Sequence, residues 1–173
     1  FESMREIRLK KEGVIATFQS GIENGFIDLK TNASPKKVAA DSASQNSGLS
    51  LVQNDALEQE VAISSMVNKA RINNRDNLYP LHLRLDSLLP GTTVDEKNNP
   101  LDPKQLCDYF SEACKSLDLN IKARIIVFKQ FDRLVVANLA MVYAAVNNLL
   151  VSAGILPNPR DYARPKDQTP PRP

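Results

Sequence analysis

The sequence predicts an all-α protein: a bundle of about four or five helices, with one long kinked helix and one long central helix. Three observations lead to this class. Apolar residues recur in steps of three and four over most of the chain, helix start and stop signals bracket several of these stretches, and no strand alternation or hairpin dipeptide competes with them. An apolar fraction of 42% in 173 residues is enough for a sizeable core.

Residues 1–30 are predicted to form an amphipathic helix, because apolar side chains recur there at helical spacing. Gly13, Gly21 and Gly25 each weaken this helix by about 1 kcal/mol relative to alanine, so it needs tertiary packing to persist. The apolar stripe consists of Met4, Ile7, Ile15, Phe18, Ile22, Phe26 and Leu29.

The chain divides further by composition. Residues 31–50 (TNASPKKVAADSASQNSGLS) have the composition of a flexible linker, and residues 51–156 are predicted to be the helical bundle domain. Residues 157–173 carry six prolines and are predicted to be a disordered tail. The chain starts inside an amphipathic pattern and ends on RPKDQTPPRP, so we expect it to be a domain excised from a longer protein.

The second helix is predicted to start at Asp55, whose side chain and that of Glu58 have capping-box spacing. Pro80 lacks a backbone donor, so the helix either kinks there or restarts with proline in its first turn. The turn signal at Pro90 and Gly91 ends the pattern.

The stretch NNPLDPKQLCDYFSEACKSLDL is predicted to be a third helix. Asp102 is placed to cap it, Pro103 fits the first helical position, and Gln105 has the spacing of a reciprocal capping partner. One apolar face is predicted, made of Leu106, Phe110, Ala113 and Leu117.

The two cysteines, Cys107 and Cys114, lie seven residues apart on this helix, about 10 Å at the helical rise. That distance is too long for a disulfide within the chain. Two reduced thiols are typical of a cytoplasmic protein, and no signal-peptide pattern opens the sequence.

The most apolar segment, about residues 120–153, has apolar side chains on two faces and is therefore predicted to be the central helix of the bundle. Gly154 is a natural residue to end it. Asp132 and Arg133 interrupt the apolar run and are candidates for a small polar site between helices. The alternative is that Asp132 pairs with a Lys or Arg of a neighbouring helix, or lies at a solvated edge.

Composition excludes several function classes. A balance of 22 basic against 20 acidic residues gives a net charge of +2, which disfavours nucleic acid as a partner. The sequence has no phosphate-binding glycine loop and no apolar run as long as a membrane span. His82 is the only histidine and the cysteines lack metal-ligand spacing, so no metal or other cofactor is predicted.

Candidate partner-binding residues come from the two long amphipathic helices. The basic ones suit a phosphate or an acidic partner, but the sequence favours a solvated helix face, because Glu2, Glu6 and Glu12 interleave the first basic cluster. The apolar ones, in the first helix, are predicted to be exposed and to contact another protein. The set is Ile7, Phe18, Phe26, Arg5, Arg8, Arg71 and Arg75.

Four stretches together resemble a bacterial family of unknown function: QNDALEQEVAISSMVNKAR, LYPLHLRLDSLL, NNPLDPKQLCDYFSEA and IKARIIVFKQFDRLVVANLAMVYAAVNNLLVSAGILP. The resemblance spans about residues 49–157, and FESMREIRLKKEGVIATF is similar to an earlier family segment. It implies a helical fragment from the N-terminal half of a large cytosolic protein with several regions. Family members sometimes carry the automatic label thymidine phosphorylase, and full-length members are associated with a β-rich module similar to PilZ cyclic-dinucleotide receptors.

The sequence therefore predicts a non-catalytic helical domain for protein interaction or scaffolding, which binds a protein partner or self-associates. Packing signals abound while convergent catalytic groups are lacking. The alternative is a regulatory domain of a cyclic-dinucleotide signalling protein whose ligand site lies outside these residues. A third hypothesis is an enzyme with a site between helices, involving Asp132, His82 or Cys107.

Overall fold

A computed structural model describes residues 2–32 and 54–159, and within these ranges 81% of residues are helical and none is in a strand. The predicted all-α class is confirmed. Most of the predicted linker at 31–50 and of the predicted tail at 157–173 lies outside the described residues.

Five α-helices and two short 3₁₀ segments make up the described chain. The second α-helix is the long kinked one, with Pro80 in its interior. The helices are α1 (Glu2–Asn32), α2 (Asn54–Leu88), α3 (Pro103–Ala113), α4 (Ile121–Leu134) and α5 (Leu139–Ser152), and the 3₁₀ segments are Cys114–Ser116 and Val136–Asn138.

Helix α3 begins as its sequence predicts. The Asp102 side chain accepts a hydrogen bond from the backbone N–H of Lys104 at 2.8 Å, and Pro103 occupies the first helical position. The expected capping role of Gln105 is wrong, because its side chain instead donates to the carbonyl of Lys97 at 2.8 Å. The predicted apolar face is confirmed: Leu106, Ala113 and Leu117 are buried and Phe110 is partly buried.

The core joins α1, α3 and α4 through four phenylalanine rings. Phe110 of α3 stacks on Phe131 of α4 with centroids 3.9 Å apart, and Phe128 meets Phe110 edge-on. Phe18 of α1 meets Phe110 and Phe131 edge-on, at 6.2 and 5.8 Å. Such edge-on and stacked pairs stabilise a core beyond the area they bury.

Two glycines of α1 have a packing role that the sequence does not reveal. A Cβ built on Gly21 would lie 3.0 Å from ring atoms of Tyr109 in α3. A Cβ on Gly25 would meet the Tyr109 hydroxyl and lie 3.0 Å from Pro100, which is fully buried. These glycines therefore allow α1 to approach α3 closely. Nothing lies within 4 Å of a Cβ built on Gly13.

The glycines predict opposite effects of the same substitution. We expect Gly13→Ala to raise the free energy of unfolding by about 1 kcal/mol through helix propensity alone. Gly25→Ala should lower it, because the added Cβ would overlap the Tyr109 hydroxyl and crowd Pro100, and such overpacking costs up to about 3 kcal/mol against a propensity gain of about 1 kcal/mol. Urea unfolding followed by circular dichroism measures both, and equal stabilisation by the two variants would show that the contact of α1 with α3 is loose.

One detail of the predicted architecture is wrong, because the expected long central helix is divided. Helix α4 ends at Leu134 and α5 begins at Leu139, with the 3₁₀ segment between them. The Asn138 side chain donates to the carbonyl of Leu134 at 3.0 Å, so a side chain replaces the helical N–H that would continue α4. Gly154, with φ of +76°, ends α5 as predicted, and Ile155 N–H donates to the Leu150 carbonyl at 2.9 Å.

The predicted position of α5 in the middle of the bundle is also wrong. Helix α5 packs on α2 through one face only, which buries Leu139, Tyr143 and Leu150 together with the polar Asn147. Val142 and Leu149, which the sequence pattern places in the core stripe, are exposed. The buried face is therefore rotated by about one residue relative to the apolar pattern, and no residue within 2–32 or 54–159 covers the outer face of α5.

Candidate interaction surface

The outer side of α5 carries a row of exposed apolar side chains, which we call the α5 apolar face: Met141, Val142, Ala145 and Leu149. Met141 is 74% exposed and Leu149 is 68% exposed, although both lie within the regular helix α5 (Leu139–Ser152). Singly exposed apolar residues are common on protein surfaces, whereas a contiguous row on one helix face indicates a contact surface.

This surface is uncharged over its whole length. No Asp, Glu, Lys, Arg or His occurs from Leu134 to Pro159 in the sequence. The solvent side of a helix in a monomeric protein normally carries charged residues. The depletion of charge on the α5 apolar face matches the composition found at the centre of protein interfaces.

Polar contacts fix the orientation of α5 on α2. The Asn147 side chain accepts a hydrogen bond from the Arg84 guanidinium and donates to the carbonyl of Asn77 at 2.9 Å. The Tyr143 hydroxyl donates to the Leu101 carbonyl at 2.8 Å. Because these buried groups require partners, they hold Asn147 inside and leave Leu149 outside.

The segment that contains Leu101 is held on α2 by an ion pair whose carboxylate, that of Asp102, is buried. Arg71 of α2 donates to both carboxylate oxygens of Asp102, at 2.7 and 3.3 Å, and Asp102 is fully buried. Glu96 lies 2.9 Å from the same guanidinium. The hydrogen bond to Asp102 raises the pKa of Arg71. Arg71 thus anchors the segment before α3 to α2, and that segment anchors α5.

Both cysteines are free and buried, as expected from their spacing. Burial raises the pKa of Cys107 to about 12 and that of Cys114 to about 11. Neither thiol is therefore ionised near neutral pH, which removes the nucleophilic form of cysteine. His82 is partly buried, and its burial lowers its pKa. Among the described residues, no group of three His, Cys, Asp or Glu side chains is placed to hold a metal ion.

The structure places the three apolar residues predicted for partner binding differently from one another. Phe18 is partly buried and packs against the aromatic core, so its predicted exposure is wrong. Ile7 packs against the small cluster of Cys114, Leu117 and Leu119, and its predicted exposure is also wrong. Their partners lie far along the sequence, which helical periodicity alone does not reveal. Phe26 is 37% exposed.

The basic residues are also not brought together. Arg71 is engaged by Asp102 within the fold, whereas Arg75, one turn further along α2, is exposed. Arg5 and Arg8 are exposed on the first turns of α1, where Glu6 and Lys10 pair at 2.6 Å. Arg71 and Arg75 therefore do not form one basic site, because Arg71 makes a contact within the fold and Arg75 is solvated.

The predicted polar site at Asp132 and Arg133 separates into two surface contacts. Asp132 lies 3.7 Å from Lys69 of α2, which is the pairing with a neighbouring helix that the sequence offered as the alternative. Arg133 donates to the Gln130 side chain at 2.8 Å. Asp132 and Lys69 lie beside a shallow groove between α2 and α4 whose floor includes Met66 and Phe128.

One described stretch, Ile121–Ser152, is long and apolar enough by length and composition to cross a membrane, with a mean hydropathy of 1.9 in its best window. The expectation that no apolar run is as long as a membrane span is therefore wrong by length and composition. Two observations speak against a span: the stretch is broken at Val136–Asn138, and α5 alone has 14 residues, about 21 Å against a hydrocarbon core of about 30 Å. The α4 half carries Lys122, Arg124, Lys129, Asp132 and Arg133.

The apolar segment that contains α5 can be recognised in the sequence, but which of its faces is exposed cannot. A 14-residue apolar helix indicates that at least one of its faces is buried. Because no side of the helix carries a charge, its sequence also indicates a second apolar contact besides the one with α2. Which side remains open depends on Arg84 and Asn77, and no local pattern encodes those contacts.

Fold and surface together define an all-helical domain with one apolar, uncharged outer face. The chain belongs to the family described as Protein of unknown function (DUF1631) N-terminal domain, whose model matches residues 1–154. This confirms the resemblance to a family of unknown function and includes α1 in the family region. No curated protein and no solved structure matches the chain significantly.

Proposed function

We propose that this chain is a non-catalytic interaction domain of a cytoplasmic protein, and that it binds another protein molecule through the α5 apolar face. The observation that carries the proposal is the row of exposed apolar side chains on α5, a helix whose orientation is fixed by hydrogen bonds on its inner side. Exposed apolar rows of this kind are stabilised when a partner covers them.

The energetics favour a contact surface at this place. Met141 and Leu149 each expose most of a large apolar side chain, and burying such a side chain contributes about 1.5–3 kcal/mol. Asn147 and Tyr143 hold the helix from its inner side, so little ordering entropy is lost when the outer side binds. Helix α5 therefore combines a fixed orientation with a large exposed apolar area.

A non-catalytic role is supported by the chemistry of the remaining candidates. The raised thiol pKa values leave Cys107 and Cys114 protonated near neutral pH. Asp132 is neutralised by Lys69 at the surface. Phosphorolysis of nucleosides, which the label found on family members implies, is not part of the proposal, because the sequence has no glycine-rich or Lys-Ser-rich phosphate motif.

The test replaces Leu149 by glutamate and measures partner capture from nuclease-treated host lysate. A carboxylate in the middle of an apolar contact must be desolvated, so we expect at least a tenfold loss of the captured protein, equivalent to about 1.4 kcal/mol. Far-UV circular dichroism should be unchanged, because Leu149 is largely solvent-exposed.

Ile72→Glu is the matched control. Ile72 is 76% exposed on α2, on a side of that helix that does not face α5. Ile72→Glu therefore replaces an apolar residue by glutamate, as Leu149→Glu does, at a similarly exposed position. We expect capture by this variant to equal that of the unmodified chain. Capture that survives Leu149→Glu, or that falls equally in both variants, contradicts an interface at the α5 apolar face.

A further inference from the structure

We infer that the α5 apolar face is covered by the same face of a second copy of this chain, in an antiparallel pair related by a two-fold axis through Ala145. This inference rests on the proposed function, because it names the partner of the same surface. Three properties of the face lead to a second copy: its charge, its residue spacing and its size.

The charge of the face suits self-pairing. From Leu134 to Pro159 the chain carries no ionisable acid or base other than the buried Tyr143, so two copies bring no like charges together. A partner with charged residues at the contact would have to desolvate them opposite a surface that offers no counter-charge. The matching surface is therefore another uncharged apolar helix, and the chain itself supplies one.

The spacing of the face is symmetric about its small residue. Met141, Ala145 and Leu149 follow one another at i, i+4 and i+8, so they form a single ridge on the helix. An antiparallel partner centred on Ala145 places Met141 of each copy beside Leu149 of the other. A two-fold interface requires this reciprocity, and the small side chain at the centre permits close approach of the two helices.

The size of the face predicts a weak dimer. Helix α5 has 14 residues and a length of about 21 Å. A contact between two helices of this length lies at the lower end of specific interfaces, below about 1,200 Å² of total buried area, so we expect a micromolar dissociation constant rather than an obligate dimer.

Disulfide trapping tests the two-fold axis directly. We expect Ala145→Cys to form a cross-linked dimer under mild oxidation at micromolar concentration, because the two Ala145 positions adjoin each other across the axis. The native cysteines do not interfere, since both are buried with raised pKa values. Ser20→Cys, at an exposed position on α1, is the matched control and should cross-link at least tenfold more slowly.

Sedimentation equilibrium of the unmodified chain and of Leu149→Glu completes the test. We expect a monomer–dimer equilibrium that Leu149→Glu weakens at least tenfold. A chain that stays monomeric, with Ala145→Cys cross-linking no faster than Ser20→Cys, overturns the second copy as the occupant. If lysate capture of a different protein is still lost in Leu149→Glu, the proposed function stands while this inference fails.

Two further outcomes separate the proposals. Capture that is insensitive to Leu149→Glu, in a chain that is also monomeric, overturns both the inference and the proposed function. Co-sedimentation of the monomeric chain with vesicles of phosphatidylcholine and phosphatidylglycerol, lost in Leu149→Glu, would make a lipid surface the occupant and would likewise overturn both. A dimer that Leu149→Glu leaves intact overturns the α5 apolar face as the site of association.

Discussion

Replacing Asp102 by alanine is expected to lower the free energy of unfolding by about 2.5–4 kcal/mol, because it removes the cap of α3, worth about 1 kcal/mol, and the charge-assisted hydrogen bonds from Arg71, worth about 1.5–3 kcal/mol. Asp102 is fully buried and accepts three hydrogen bonds, two from Arg71 and one from the N–H of Lys104. The substitution leaves α3 without its cap and leaves the partly exposed guanidinium of Arg71 with the exposed Glu96 as its remaining counter-charge. Chemical unfolding measured by circular dichroism gives the difference.

Asp108→Ala is the control for this prediction. Asp108 lies on the same helix and pairs with Lys104, but both side chains are about half exposed, so the loss should stay below about 1 kcal/mol. If Asp102→Ala and Asp108→Ala cost the same, the Arg71–Asp102 pair does not anchor the segment before α3. Asp102→Asn should fall between them, because it keeps an acceptor oxygen for the cap but removes the charge.

Replacing Phe131 by alanine is expected to lower the free energy of unfolding by about 3–5 kcal/mol, the usual range for emptying a buried aromatic site. The Phe131 ring stacks on Phe110 and meets Phe18 edge-on, so it connects α4 to both α3 and α1. We expect the loss to be large because three helices line the resulting cavity. Thermal and urea unfolding of Phe131→Ala and of the unmodified chain measure the difference.

Ile126→Ala provides the matched truncation on the same helix. Ile126 is 59% exposed, so its loss removes little buried area and should cost less than about 1 kcal/mol. Phe131→Leu should cost less than Phe131→Ala, because leucine retains most of the apolar volume. A cost for Phe131→Ala close to that of Ile126→Ala would mean that α1, α3 and α4 do not share one aromatic core.

Helix α3 shows how much local sequence predicts. Asp102, Pro103 and the four-residue apolar stripe specify where the helix starts and which side is buried, and the structure confirms each of them. These features are local: capping links residues two or three apart, and a helical stripe links residues three or four apart. The groups that determine the start of α3 and its buried side therefore lie close together in the sequence.

Helix α5 shows the limit of the same reasoning. Its residues are apolar on nearly every side, and periodicity placed Val142 and Leu149 in the core, whereas the structure buries Tyr143 and Leu150 instead. The choice is made by Asn147, whose partners in α2 lie 63 and 70 residues away. An Asn that must be satisfied overrides an apolar pattern that permits two orientations.

The candidate contact residues follow the same division. Ile7 and Phe18 were predicted to be exposed because an isolated amphipathic helix presents its apolar stripe to whatever is outside it. Helix α1 turns this stripe toward α3 instead, and Gly21 and Gly25 make room for Tyr109 and Pro100. Helix α1 also exposes Met4, Leu9, Ile15 and Ile27, but charged residues lie between them, whereas the α5 apolar face is uncharged.

The sequence by itself determined the all-helical class, the start of α3, the kinked second helix, the end of α5 at Gly154 and the free state of the two cysteines. Each of these depends on groups within a few turns of one another. Only the tertiary structure decided that Arg71 anchors Asp102 and that, in the described part of the chain, the α5 apolar face is exposed. The reason is that these outcomes depend on which distant groups satisfy buried hydrogen bonds, and those partners meet only when the helices pack.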